Sequence, residues 1–144
     1  MKKPTRTILI DPIHRTIEVH EMVVSAEETK NILQCPTLDH FRLAEHEDEK
    51  SGKISWDYGW VDDTGLSRGE PIHAFKFDIK SDPIAGRCLL TGVDKQTGDT
   101  IDVKITVEFL REHIEWLGVI VPEVTWDRTE NVDKAIVTYS RVKA

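Results

Sequence analysis

Branched β-carbons dominate the apolar residues of this chain. It carries 14 Ile, 13 Val and 13 Thr, against 9 Leu and 6 Ala. Side chains forked at Cβ lose rotamer freedom in a helix and pack well on a pleated surface, so this bias selects sheet and leaves room for few helices. The pattern along the chain agrees. Residues 5–11 read as a strand closed by the turn chemistry of Asp11-Pro12. Residues 15–23 follow, with Ile17, Val19 and Glu21 on one face and Glu18, His20 and Met22 on the other. Further strands are expected from Leu38 onward and over 54–61, 74–79, 86–93 and 100–107, then around 121–126 and 135–142. The segment 100–107 carries a period-2 stripe of Ile101, Val103, Ile105 and Val107, and 94–99 before it reads as a hairpin loop. Between 45 and 50 the acidic run reads as a solvated loop.

Two segments break the alternation. Ser25 and Glu28 have the spacing of a capping box, which predicts a helix over 26–34 that turns Ile32 and Leu33 inward and stops before Pro36. Over 108–117 the period lengthens, with Leu110, Ile114 and Leu117 on one helical face and Gly118 placed as a C-cap; a continued strand is the rival. With 144 residues and no repeat or linker, the expectation is a single α+β domain over 1–144, mostly antiparallel sheet with one or two short helices packed on it.

Charge narrows the function classes. Nineteen Lys and Arg against 26 Asp and Glu leave a net −7, which argues against nucleic-acid binding by bulk electrostatics. No apolar run approaches the 20 or so residues that a membrane helix needs, and the stretch after Met1-Lys2-Lys3 is too short for an export signal. Cys35 and Cys88 make no disulfide framework or C-x-x-C pair, so the expected setting is cytoplasmic.

No nucleophile elbow, phosphate loop, zinc-helix or dinucleotide motif occurs, so no catalytic residue, metal ligand or cofactor is assigned. His46 beside Glu45, Glu47 and Asp48 is the nearest approach to a metal-ligand set and carries the alternative of a metal-assisted hydrolase, although an acidic run is ordinarily a solvated face. Cys35 sits at a helix end whose dipole disfavours a thiolate, and Cys88 reads as a buried small hydrophobe. The most distinctive local feature is Trp56-Asp57-Tyr58-Gly59-Trp60. On a strand its three aromatic rings share a face and Asp57 and Gly59 take the other. That face reads either as core beneath the first helix or as a platform for a base, sugar or peptide, rimmed by Asp62, Asp63 and either Arg68 or Arg87. Residues 45–49 with Asp62 and Asp63 also suggest an acidic patch that steers toward a basic partner, the plain alternative being solubility.

The segment Trp60-Val61-Asp62-Asp63-Thr64-Gly65-Leu66, then Phe75 to Phe77, then Pro83-Ile84-Ala85-Gly86-Arg87-Cys88-Leu89-Leu90-Thr91-Gly92, resembles small uncharacterised proteins of phages, prophages and other mobile elements. Ile8-Leu9-Ile10-Asp11-Pro12 and Ile17-Glu18-Val19 are similar to them as well. The resemblance implies a non-catalytic accessory protein that binds and inhibits a host protein or sequesters a small nucleotide-like ligand. It transfers no catalytic residue. Gly65 and Gly86 read as backbone-geometry positions, and Arg87 as a partner for an anion or a carboxylate, Asp62 and Asp63 being the candidates within the chain. Exposed strand edges would allow a homodimer.

Overall fold

The computed structural model describes residues 3–79, 82–129 and 132–142. In chain order the elements are β1 (Thr5–Asp11), β2 (Thr16–Met22), α1 (Ala26–Leu33), β3 (Leu38–Glu47), β4 (Ile54–Asp62), β5 (Ile72–Phe77), β6 (Ile84–Ala85), β7 (Cys88–Asp94), β8 (Thr100–Ile101), α2 (Val107–His113), β9 (Ile114–Thr129) and β10 (Val132–Arg141). Strand outweighs helix by 54% to 12%, so the α+β arrangement is dominated by its sheets. The larger sheet has the order β2-β1-β7-β4-β3, with β8 also paired to β7, and the smaller runs β10-β9-β5-β6. Every described pairing is antiparallel.

The core lies between the sheets. Ile8, Ile10, Cys88 and Leu90 point inward from the larger sheet, Phe75, Phe77 and Ile84 from the smaller, and Val103, Ile105 and Leu110 close the space. A second cluster sits on the outer face of the larger sheet, where Leu33 and Cys35 of the α1 region pack on Leu89, with Leu38 and Trp60 beside them. Ser25 caps α1 as its spacing predicts: its Oγ accepts the Glu28 amide at 3.1 Å.

Four local expectations are corrected. Residues 45–47 are not loop, because β3 runs on to Glu47 opposite Ile54. The chain turns only at Asp48, whose carboxylate accepts the amides of Lys50 and Ser51. Residues 102–106 are not strand. Val103 and Ile105 are buried as their stripe requires, but they join no ladder: the Val103 amide donates to the Arg6 carbonyl at 3.0 Å, and side chains serve the groups that follow. Asp57 accepts the Lys104 and Ile105 amides, and Arg6 donates to the Val103 carbonyl at 2.8 Å. Thr106 then caps α2 through the Phe109 amide.

The helix expected over 108–117 stops at His113, since Ile114 onward pairs with β5. Gly118 is therefore no C-cap. Its φ of +70° lies in β9, where the register with β5 shifts between Ala74 and Phe75, and this left-handed backbone is what a bulge needs from glycine. The last strand-like pieces, 121–126 and 135–142, form one long hairpin, β9–β10, and only residues 114–120 of it also pair with β5. Ile79, the last residue of the strand expected over 74–79, lies beyond β5 and is exposed. Among the described residues no helix is long and apolar enough to cross a membrane.

Candidate binding surface

The rings of Trp56, Tyr58 and Trp60 project from the outer face of β4, as period 2 requires, and all three are half-buried. They divide between the two uses their sequence left open. Trp60 packs against the cluster under α1 and donates Nε1–H to Thr91 Oγ1 at 2.9 Å. Trp56 and Tyr58 lie past that cluster, along the part of the sheet that α1 does not cover. The register of the β3–β4 hairpin sets His40 opposite Trp60 and Arg42 opposite Tyr58. A row of rings results: Trp56 to Tyr58 is 6.0 Å between centroids, Tyr58 to His40 5.4 Å and His40 to Trp60 5.0 Å.

Charge surrounds the open end of this row. Trp56 donates Nε1–H to Glu45 Oε1 at 2.8 Å, Arg42 Cζ lies 5.0 Å from the ring centroid, and Lys95 Nζ lies 5.6 Å from it. Such cation–ring contacts contribute roughly 0.5–1 kcal/mol at exposed sites. The indole is thus fixed at its N–H and flanked by two cations.

The inner face of β4 does different work. Gly59 lies opposite Phe41, whose ring occupies the space where a Cβ on Gly59 would project, so the glycine admits a core ring and not a ligand. Asp57 is fully buried. Besides the two amides of the 102–106 segment it faces His46 Nε2 at 2.7 Å, and His46 remains partly exposed. Glu45 and Glu47 leave β3 on the face opposite His46, and Asp48 is committed to its turn. Among the described residues no group of three or more His, Cys, Asp or Glu converges as a metal site would require.

The remaining predicted site residues lie elsewhere. Asp62 is at the far end of β4, about 20 Å along the strand from Trp56. It ion-pairs with Arg68 at 3.0 Å. Asp63 is exposed beside it and donates its amide to the Thr37 carbonyl. Residues 45–49 occupy the opposite end of the same hairpin, so the acidic residues do not gather into one patch. Arg87 pairs with neither Asp62 nor Asp63. Its Nε lies 3.4 Å from Asp11 Oδ2, and its Nη1 donates to the Ile32 carbonyl in the last turn of α1.

Cys35 is buried in the α1 cluster, and burial first, then the Asp62 carboxylate, push its thiol above the ordinary value. His40, Arg42 and Lys95 were not legible as site residues one by one. Tracing the hairpin register back from the 48–53 turn would not have found the first two, because pairing Glu47 with Ile54 sets Leu43 and Phe41 opposite Tyr58 and Trp60, and only the bulge between Arg42 and Ala44 brings Arg42 and His40 to the aromatic face. Compared with known proteins, the chain matches no family, no curated sequence and no solved structure.

Proposed function

We propose that this chain is a non-catalytic accessory protein of the phage or mobile-element kind, which binds and inhibits a host protein through the open part of its larger sheet. The observation that carries the reading is the pairing of Trp56 and Tyr58 with Arg42 on one uncovered face. Trp, Tyr and Arg are the residues most enriched among the few that dominate binding energy at protein interfaces. The Glu45 hydrogen bond holds the Trp56 indole in place before any partner arrives, which reduces the entropy lost on association. The likeness of residues 8–12, 60–66 and 83–92 to mobile-element proteins supports the host setting.

The test is affinity capture from bacterial lysate with mass spectrometry of retained proteins and small molecules, using the wild type, Trp56→Ala and Arg42→Ala. One stoichiometric protein, retained by the wild type and lost by both variants while their circular dichroism is unchanged, is the expected result. Equal retention by the variants overturns the reading. A second reading, a nucleotide-like ligand stacked on Trp56, draws on the two cations beside that ring. It predicts a retained nucleotide with no accompanying protein.

A further inference from the structure

An arginine-lined groove follows the seam where the β1–β2 turn meets the smaller sheet. Its central cavity, about 520 Å³, is lined by Arg15, His73 and Arg141 together with apolar Ile13, Leu117 and Val119. It shares Arg15 with an adjoining cavity of about 390 Å³ that adds Arg111. It shares Ile13 and His73 with another of about 250 Å³ that adds Arg68 and Arg87. Five of the chain's eight arginines therefore front one groove of a molecule whose net charge is −7, and no lysine lines any of the three cavities. A guanidinium differs from an ammonium in presenting a planar fork that matches two oxygens at once, so this segregation selects for oxyanions rather than for bulk charge.

The arginines are not equivalent. Arg68 is answered by Asp62 and Glu70, and Arg87 by Asp11. In the central cavity no carboxylate is part of the lining. Arg15 has no hydrogen bond or ion pair among the described residues. Arg141 donates Nε and Nη2 to the carbonyls of Leu117 and Trp116, at 3.0 and 3.5 Å, and Nη1 is left over. Arg15 also holds a left-handed backbone, φ +56°, that long side chains rarely adopt. Its guanidinium lies beside Gly118, with Nη2 3.9 Å from where a Cβ would stand, an ordinary contact distance.

We infer that this cavity binds a phosphate-bearing small molecule, its phosphoryl oxygens taken by Arg15 and Arg141 with His73 beside them and its apolar body against Ile13, Leu117 and Val119. Two guanidinia that no carboxylate among the described residues answers, Arg15 with its donors unused and Arg141 with Nη1 left over, suit a dianion with three terminal oxygens better than a single carboxylate, and the volume falls within the range of about 300–1,000 Å³ typical of small-ligand sites. The site is separate from the aromatic face of β4 and does not rest on the function proposed for it.

The test titrates the full chain with inorganic phosphate, pyrophosphate and citrate at ionic strength held constant with sodium chloride, read by calorimetry and thermal shift. Saturable binding of phosphate or pyrophosphate is expected. Arg15→Gly keeps the turn, because glycine occupies this backbone region freely, and is expected to bind about tenfold more weakly. Arg141→Lys keeps the charge and loses the fork, so it too is expected to bind more weakly, whereas Trp56→Ala binds like the wild type. No saturation beyond chloride, undiminished affinity in Arg15→Gly, or binding of citrate without phosphate would each overturn the inference.

Discussion

Asp57 shows how much one residue can organise. Its carboxylate is fully buried on the inner face of β4 and accepts the amides of Lys104 and Ile105 at 3.0 and 2.9 Å. Those bonds replace a strand partner for a segment whose apolar alternation would otherwise place it in a sheet. Asp57→Ala leaves two amides without acceptors, and we expect a loss of about 3 kcal/mol in denaturant-induced unfolding. A loss of under about 1 kcal/mol would mean that water satisfies the segment instead.

Asp11 makes a pH-dependent contribution. Burial alone would raise its pKa, but the His14 ring at 2.8 Å, the amides of Ile13 and His14, and Arg87 together outweigh burial and hold the carboxyl below its ordinary value of 3.8. A depressed folded pKa stabilises the protein above the unfolded value, and that contribution disappears as pH falls through the lower folded value. Stability is therefore expected to drop below about pH 4, and less steeply in Asp11→Asn. An unchanged slope in the variant would assign the acid limb to other carboxylates, such as Asp48 and Asp94, whose pKa values are lowered by backbone amides. At Cys35 the raised thiol pKa and its burial predict slow modification by a thiol reagent at neutral pH, accelerating only on unfolding. A native-state rate equal to that of an unfolded peptide would place the sulfur at the surface.

At the scale of elements, local chemistry set some boundaries and long-range pairing set others. The Ser25 cap of α1 was readable because cap and recipient are three residues apart, and it formed as its spacing indicates. Ser25→Ala is expected to cost about 1 kcal/mol in equilibrium unfolding, and Ser25→Asp much less. Equal losses in both variants would show that the hydroxyl acts through something other than the cap. The C-terminal end of α2 was not readable. Leu110, Ile114 and Leu117 do turn inward, but the first does so from a helix and the other two from β9, because β5 offers a ladder from Phe77 to Ile72 that begins at Ile114. His113 Nδ1 against Asp78 Oδ2 at 2.6 Å marks the changeover. The candidate surface divides in the same way. Its rings follow from the alternation of β4, whereas His40 and Arg42 arrive through the pairing of β3 and β4.

For the molecule as a whole, the main core draws on both sheets, so its centre should open only when the sheets part. Amide exchange is expected to be slowest at residues 8–10 and 88–90, which pair with each other beneath the core, and faster over 121–126 of β9, whose only ladder partner among the described residues is β10. Equal protection in the two regions would mean that the hairpin is held by contacts other than its own ladder.

Taken by itself, the sequence determined the sheet-rich class, the alternation of the strands, the α1 cap and the hairpin loop at 94–99. Each of these depends on residues a few positions apart, where side-chain shape and short hydrogen bonds decide backbone conformation. Only the tertiary structure decided which aromatic rings stay open, that Arg87 answers Asp11, that Asp57 holds residues 104–105, and that arginines from five separate segments gather in one groove. These depend on groups tens of residues apart. Period 2 says that two faces exist, but only the other layers of the fold determine which is buried and which charges meet.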